Sequence, residues 1–213
     1  MAVQHEIKSQ LAKLLATEDL VVEHKQVETA SFNVETRVLV LPLWEKASNS
    51  IYDMLVGHEV GHALFTPNDD WFLKTDVPHG IVNVCEDARI EKLMKRKYMG
   101  LAKTFYYGYS ELHDEDFFNL EDEDVDKFNL ADRINLYYKI GNFLDLQFTE
   151  RELEIRELVG KLEDKPAMRL VRYTNARHKL RENINQRSAN HLTIEFPQSA
   201  SLELAIDKTQ CED

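Results

Sequence analysis

Between Ser48 and Phe65 the chain carries a helical pattern with polar residues set inside an apolar run. In LVGHEVGHAL (55–64) the positions around His58, Glu59 and His62 are uncharged and mostly apolar, and no proline interrupts them. Ser48, Asn49 or Ser50 is placed to cap such a helix, and Thr66-Pro67 to close it. Two histidines on an otherwise buried stripe are costly to leave without partners. Any fold built on this helix must therefore supply polar groups to its interior.

The HExxH string states what those groups do. Residues four apart on a helix sit about 40° apart around its axis and one turn along it, so both imidazoles reach one ion. Glu59 lies about 60° from His62 on the same side. There it can take a proton from an attacking water without itself being a ligand. The bland alternative is a pair of satisfied core histidines beside a salt-bridged glutamate. Catalytic zinc normally takes three protein ligands. The extended HExxHxxGxxH pattern does not provide the third, because Phe65 and Asn68 stand where glycine and histidine are needed.

A second helix is expected over 81–97, ending before Gly100. Its apolar stripe of Val82, Ile90 and Leu93 contains Glu86, four residues from each of the first two. A carboxylate on a core-facing stripe needs a compensating charge, which a metal ion supplies. Glu86 is therefore the expected third ligand and Cys85 the alternative. Glu91, four residues before Lys95, reads as half of a solvent-side ion pair. Asp87, Arg89 and Glu91 are candidates for holding the ligands in place. Asp53 reads as a helix N-terminal charge. His79, in the loop 67–80, reads either as a plain loop histidine or as a residue lining the site. Tyr106, Tyr107, Tyr109 and His113 are candidates for polarising a substrate carbonyl, or else are core aromatics.

Around this centre the chain reads as α+β and mostly helical. The first 20 residues form an amphipathic helix with an Ile7, Leu11, Leu14 and Leu15 stripe, unlike the unbroken apolar core of a signal peptide. A short strand is expected near Leu20–Glu23. A longer one over 30–44 is expected at a sheet edge, because Phe32, Val34, Thr36, Val38 and Val40 alternate with polar residues until Pro42. An acidic connection over 111–128 follows the aromatic segment 101–112. Helices are then expected at 129–146, 150–163 and 167–187, the second opened by a Thr149/Glu152 capping box. The third is basic and reads as a charged face or a surface for a protein partner. The tail 189–213 shows no period. The expected organisation is 1–110 as the domain that holds the site, 111–128 as the connection, 129–188 as a helical subdomain and 189–213 as an irregular tail.

The 213 residues carry 26 Lys+Arg against 38 Asp+Glu, a net charge of -12, which disfavours non-specific binding to nucleic acid. No apolar run of about 18 residues is present, so no membrane span is expected. Two cysteines, Cys85 and Cys211, exclude a disulfide framework and point to a reducing, cytoplasmic setting.

The stretch from about 30 to 97 resembles the gluzincin class of zinc metallopeptidases, in which HExxH lies on one helix and a glutamate ligand on a following one. More narrowly, GHEVGHALFTP followed by NVCEDARIEKLMKRKY is similar to phage and bacterial metallopeptidase-like proteins. Some of those carry a von Willebrand A-type domain and are associated with cobalt-chelatase-like systems. The resemblance implies a zincin-like domain with His58, His62 and Glu86 as zinc ligands and Glu59 as general base. It also implies that the strand around Val34–Leu41 forms the rim of a cleft where an extended peptide pairs. The thermolysin-type NExxSD is absent, so the aspartate partner of the first histidine is not identifiable. No DxSxS motif is present, so a functional von Willebrand A domain is not part of the chain. The function expected is zinc-dependent hydrolysis of a peptide or protein. The alternatives are a non-catalytic metallopeptidase-like adaptor or assembly factor and a hydrolase of non-peptide amides.

Overall fold

The computed structural model describes residues 4–45, 47–68 and 78–162. The architecture is α+β and mostly helical, with a small N-terminal sheet followed by the HExxH helix, as expected. In chain order the elements are α1 (His5–Ala16), β1 (Val21–Lys25), β2 (Ser31–Asn33), β3 (Val38–Pro42), α2 (Asn49–Phe65), α3 (His79–Lys97), α4 (Leu101–Asp114), a 3-10 turn (Val125–Lys127), α5 (Leu130–Ile140) and α6 (Glu150–Gly160). They group into two compact units. One takes the described residues of 4–68 and 90–118, the other those of 78–89 and 119–162. The division falls inside α3, a continuous helix that belongs to both.

In the first unit the sheet order is β1-β3-β2, with β3 parallel to β1 and antiparallel to β2. The expected single strand over 30–44 is a hairpin. Asn33 breaks it: its side-chain oxygen accepts from the backbone N–H groups of Glu35 (3.0 Å) and Thr36 (2.7 Å), and its carbonyl accepts from Arg37. Such an Asx turn offers the backbone a local alternative to the ladder, and Arg37 completes it at φ 58°. Val38–Pro42 is accordingly the central strand, and the edges are β1 and β2. The expected rim strand of Val34–Leu41 does not exist as such.

Helix α1 also turns a different face inward. Lys8, Ala12 and Ala16 are buried, while Ile7 and Leu14 are 51% and 75% exposed. Two alanines allow α1 to lie close to α2, and Lys8 reaches Asp53 at 2.6 Å. Asp53 is thus half of a part-buried ion pair. Helix α2 begins where expected, with Ser48 Oγ accepting from Ile51 N at 3.2 Å, and is buried from Ile51 to Ala63 apart from Asp53.

Glycines set how closely its neighbours approach. A Cβ on Gly57 would meet the Phe105 ring of α4 at 3.3 Å, and one on Gly61 would meet Ile90 Cδ1 of α3 at 2.8 Å. The aromatic segment after Gly100 is itself a helix, α4. Its buried Leu101, Phe105, Gly108, Tyr109 and Leu112 follow the helical period.

The second unit packs Ile81, Val82, Val84, Cys85 and Ala88 of α3 against α5 and α6 through Leu130, Ile134, Ile155 and Val159. Arg133 and Glu152 form a buried ion pair across α5 and α6 at 2.5 Å. The Thr149/Glu152 capping box is present, with Thr149 N donating to Glu152 Oε2 at 2.9 Å. Helix α5 stops at Ile140, short of the expected 146, where Gly141-Asn142 interrupts the pattern. The expected helix 167–187, the tail 189–213 and Cys211 lie outside the described residues. Among the described residues no helix is long and apolar enough to cross a membrane.

Candidate metal centre

His58 and His62 stand one turn apart on α2, both buried, with ring centroids 5.2 Å apart. Each is held through the same ring nitrogen. His58 Nδ1 lies 3.0 Å from Glu91 Oε1, and His62 Nδ1 lies 2.8 Å from Thr66 Oγ1. A carboxylate only accepts, so the proton of His58 is assigned to Nδ1. The same tautomer at His62 makes the Thr66 hydroxyl the acceptor. Both rings then carry their lone pair on Nε2, the arrangement in which an outer hydrogen bond fixes a metal-binding imidazole.

Glu91 is the centre of that support. It is 3% exposed, and besides His58 it accepts from Tyr109 Oη at 2.5 Å on Oε1 and from Lys95 Nζ at 3.0 Å on Oε2. The expected pairing with Lys95 is present, but Glu91 is buried. The i, i+4 spacing was legible in sequence. What reversed the assignment is the close approach of α3 to α2 at Gly61, where Ile90 and Met94 fill the place of a side chain.

One carboxylate joins the two imidazoles. A ligand atom each of His58, His62 and Asp87 lie within 4.8 Å of one another, the one group of this kind among the described residues. Helix geometry explains why Asp87 takes this place. It precedes Glu91 by four residues and Met94 by seven, within about 40° of both around the axis. It therefore shares the face of α3 that these residues turn to α2. Glu86 sits about 100° farther round, and both its carboxylate oxygens accept from Arg89, at 2.6 and 2.8 Å. Asp87 Oδ2 also accepts from Lys139 Nζ of α5 at 2.9 Å.

The donor set fits a catalytic zinc: two imidazoles and a carboxylate, three protein ligands in all. Glu59 is fully buried on α2 between the histidines.

The other candidates are distributed as follows. Cys85 faces the α5–α6 core, and burial, then the neighbouring Glu86 and Asp87, push its thiol up to about 12. A neutral thiol packed among aliphatic side chains is a core residue. Tyr109 hydrogen-bonds Glu91, whereas Tyr106 and Tyr107 are about half exposed on α4. His113 lies in the last turn of α4, and the side chain of His79 is outside the described residues. Thr66, which sequence reasoning passed over as a helix stop, is buried against His62. Its signal was the i+4 spacing from the second histidine. Comparison with protein-family models, with curated proteins and with solved structures finds no match.

Proposed function

We propose that this protein is a zinc-dependent peptide hydrolase, with His58, His62 and Asp87 holding the metal and Glu59 acting as general base. The observation that carries the reading is the pairing of two buried imidazoles, each fixed through Nδ1, with a carboxylate within 4.8 Å. Zinc in such a site supplies Lewis acidity, bringing the pKa of a water to about 7 and polarising a carbonyl. The Glu59 carboxylate accepts the proton that this water gives up on attack and returns it to the leaving amine. Glu91 keeps His58 in one tautomer, and Glu91 and Thr66 hold the two rings in one orientation throughout.

A peptide is the substrate class favoured by the sheet. β2 is an edge strand that packs on α2, and an edge offers backbone groups to an extended chain. From the turn after β2, Arg37 donates to the Ala63 carbonyl of α2 at 2.8 Å, which ties that edge to the end of the HExxH helix.

The test is metal content and peptide cleavage on protein purified without chelators. About one zinc per chain is expected, with a melting temperature that falls on chelation and recovers on reloading. Asp87→Ala should lose the metal. Glu59→Gln should keep it and lose cleavage of a peptide library, since glutamine preserves shape but accepts no proton. Absence of any transition metal, with no zinc-dependent shift in melting, overturns the reading. If Glu86→Ala strips the metal and Asp87→Ala does not, the third ligand is Glu86. If Glu59→Gln binds zinc and the wild type cleaves nothing, the protein is a metal-binding adaptor.

A further inference from the structure

We infer that Tyr109 is a positioning residue for the metal, acting from α4 through Glu91 on His58; the inference rests on the zinc reading above. Tyr109 is 1% exposed and its hydroxyl donates to Glu91 Oε1 at 2.5 Å, the same oxygen that takes the His58 N–H at 3.0 Å. The two donors converge on one carboxylate oxygen from two different helices. Lys95 holds the opposite oxygen, and its Nζ also lies 4.6 Å from the centre of the Phe105 ring, one turn before Tyr109. A carboxylate fixed at both oxygens has no freedom to rotate, and the imidazole that donates to it is fixed in turn.

Each of these hydrogen bonds also offsets part of the cost of burying the carboxylate. Loss of the Tyr109 hydroxyl removes one competing donor from Oε1, which alone would strengthen the bond to His58. Against this, it removes the donor that reaches Oε1 from α4, and with it the tie between that oxygen and the helix packed on α2. The second effect is the larger, because loss of a buried hydrogen bond to a carboxylate outweighs the slight strengthening of a neighbouring one.

The experiment compares wild type, Tyr109→Phe, Glu91→Ala and the double variant, measuring zinc affinity by competition with a chromophoric chelator and apo-protein melting in parallel. Tyr109→Phe keeps the ring and its packing. It should weaken zinc binding roughly three- to tenfold, less than the about 10–100-fold cost of losing a direct partner of a ligand. Glu91→Ala should weaken it more, and adding Tyr109→Phe to Glu91→Ala should change zinc affinity no further. Wild-type affinity in Tyr109→Phe overturns the inference while leaving the zinc reading intact. So does a full additional loss in the double variant, which would show an action independent of Glu91. Should Glu91→Ala fail to fold, Tyr109→Phe alone decides by its zinc affinity. A wild type that binds no zinc refutes the underlying reading instead.

Discussion

Replacing Gly108 with alanine tests whether α4 rests directly on the HExxH helix. A methyl group at Gly108 falls 2.5 Å from Met54 Cβ, 3.0 Å from Met54 Cγ and 3.1 Å from the Ser50 carbonyl oxygen, all on α2 or its first turn. Carbon atoms settle about 3.5–4.0 Å apart, so α4 must retreat by about 1 Å. Met54 Cβ is bonded to the backbone and no rotamer moves it aside. Overpacking of this kind costs about 1–3 kcal/mol, and alanine's better helix propensity returns about 1 kcal/mol. With two of the three contacts unable to yield, a net loss of about 1–2 kcal/mol is expected, or about 2–8 °C in melting temperature for a chain of this length. Urea titration followed by far-ultraviolet circular dichroism measures it. Gly57→Ala is the internal comparison: its methyl meets a Phe105 ring carbon at 3.3 Å, which a small ring shift relieves, so its effect should be near zero. A Gly108→Ala protein more stable than wild type, by the roughly 1 kcal/mol of an unobstructed helix alanine, would refute the close approach.

Asp132, at the start of α5, has its carboxyl raised to about 6 by burial, although Asn129 donates to it. Its folded pKa lies above the ordinary 3.8, so wild-type stability falls as pH rises from about 4 through 6. Asp132→Asn should remove that loss, with a gain of at most about 3 kcal/mol above pH 6 and little below pH 4, read from urea midpoints across pH. Cys85, buried with a thiol near 12, should resist iodoacetamide at pH 8 until the protein unfolds, and peptide mass spectrometry reads this directly. Labelling of Cys85 in the native protein would contradict its place in the α3–α5–α6 core.

The HExxH helix, a cap for it within Ser48–Ser50 and the Thr149/Glu152 capping box were legible because each depends on residues within a few positions of one another. The same locality makes the two histidines readable as a pair, since four residues on a helix always bring side chains to one face. Alternation misled over 30–44, where a strand pattern continues in form through the Asn33 turn. A hydrogen bond from a short side chain competes with the ladder there, and hydrophobicity does not register it. Helix α4 was read only as an aromatic segment; the missing side chain of Gly108 is what lets it meet Met54.

The carboxylate beside the two histidines marks the limit most clearly. A stripe argument needs one buried face, and α3 is buried at nearly every position from Ile81 to Met94. Periodicity through Val82 and Ile90 therefore leads to Glu86. Which face of α3 turns to α2 is decided by Gly61 receiving Ile90 and Met94, and by Glu91 reaching His58. Sequence alone determined that two imidazoles and the Glu59 carboxylate would share one helix, because helical spacing is a property of the local backbone. Only tertiary packing decided that Asp87 would join them and that Glu91 would be buried behind them, because the rotation of one helix against another is set by contacts between residues distant in the chain.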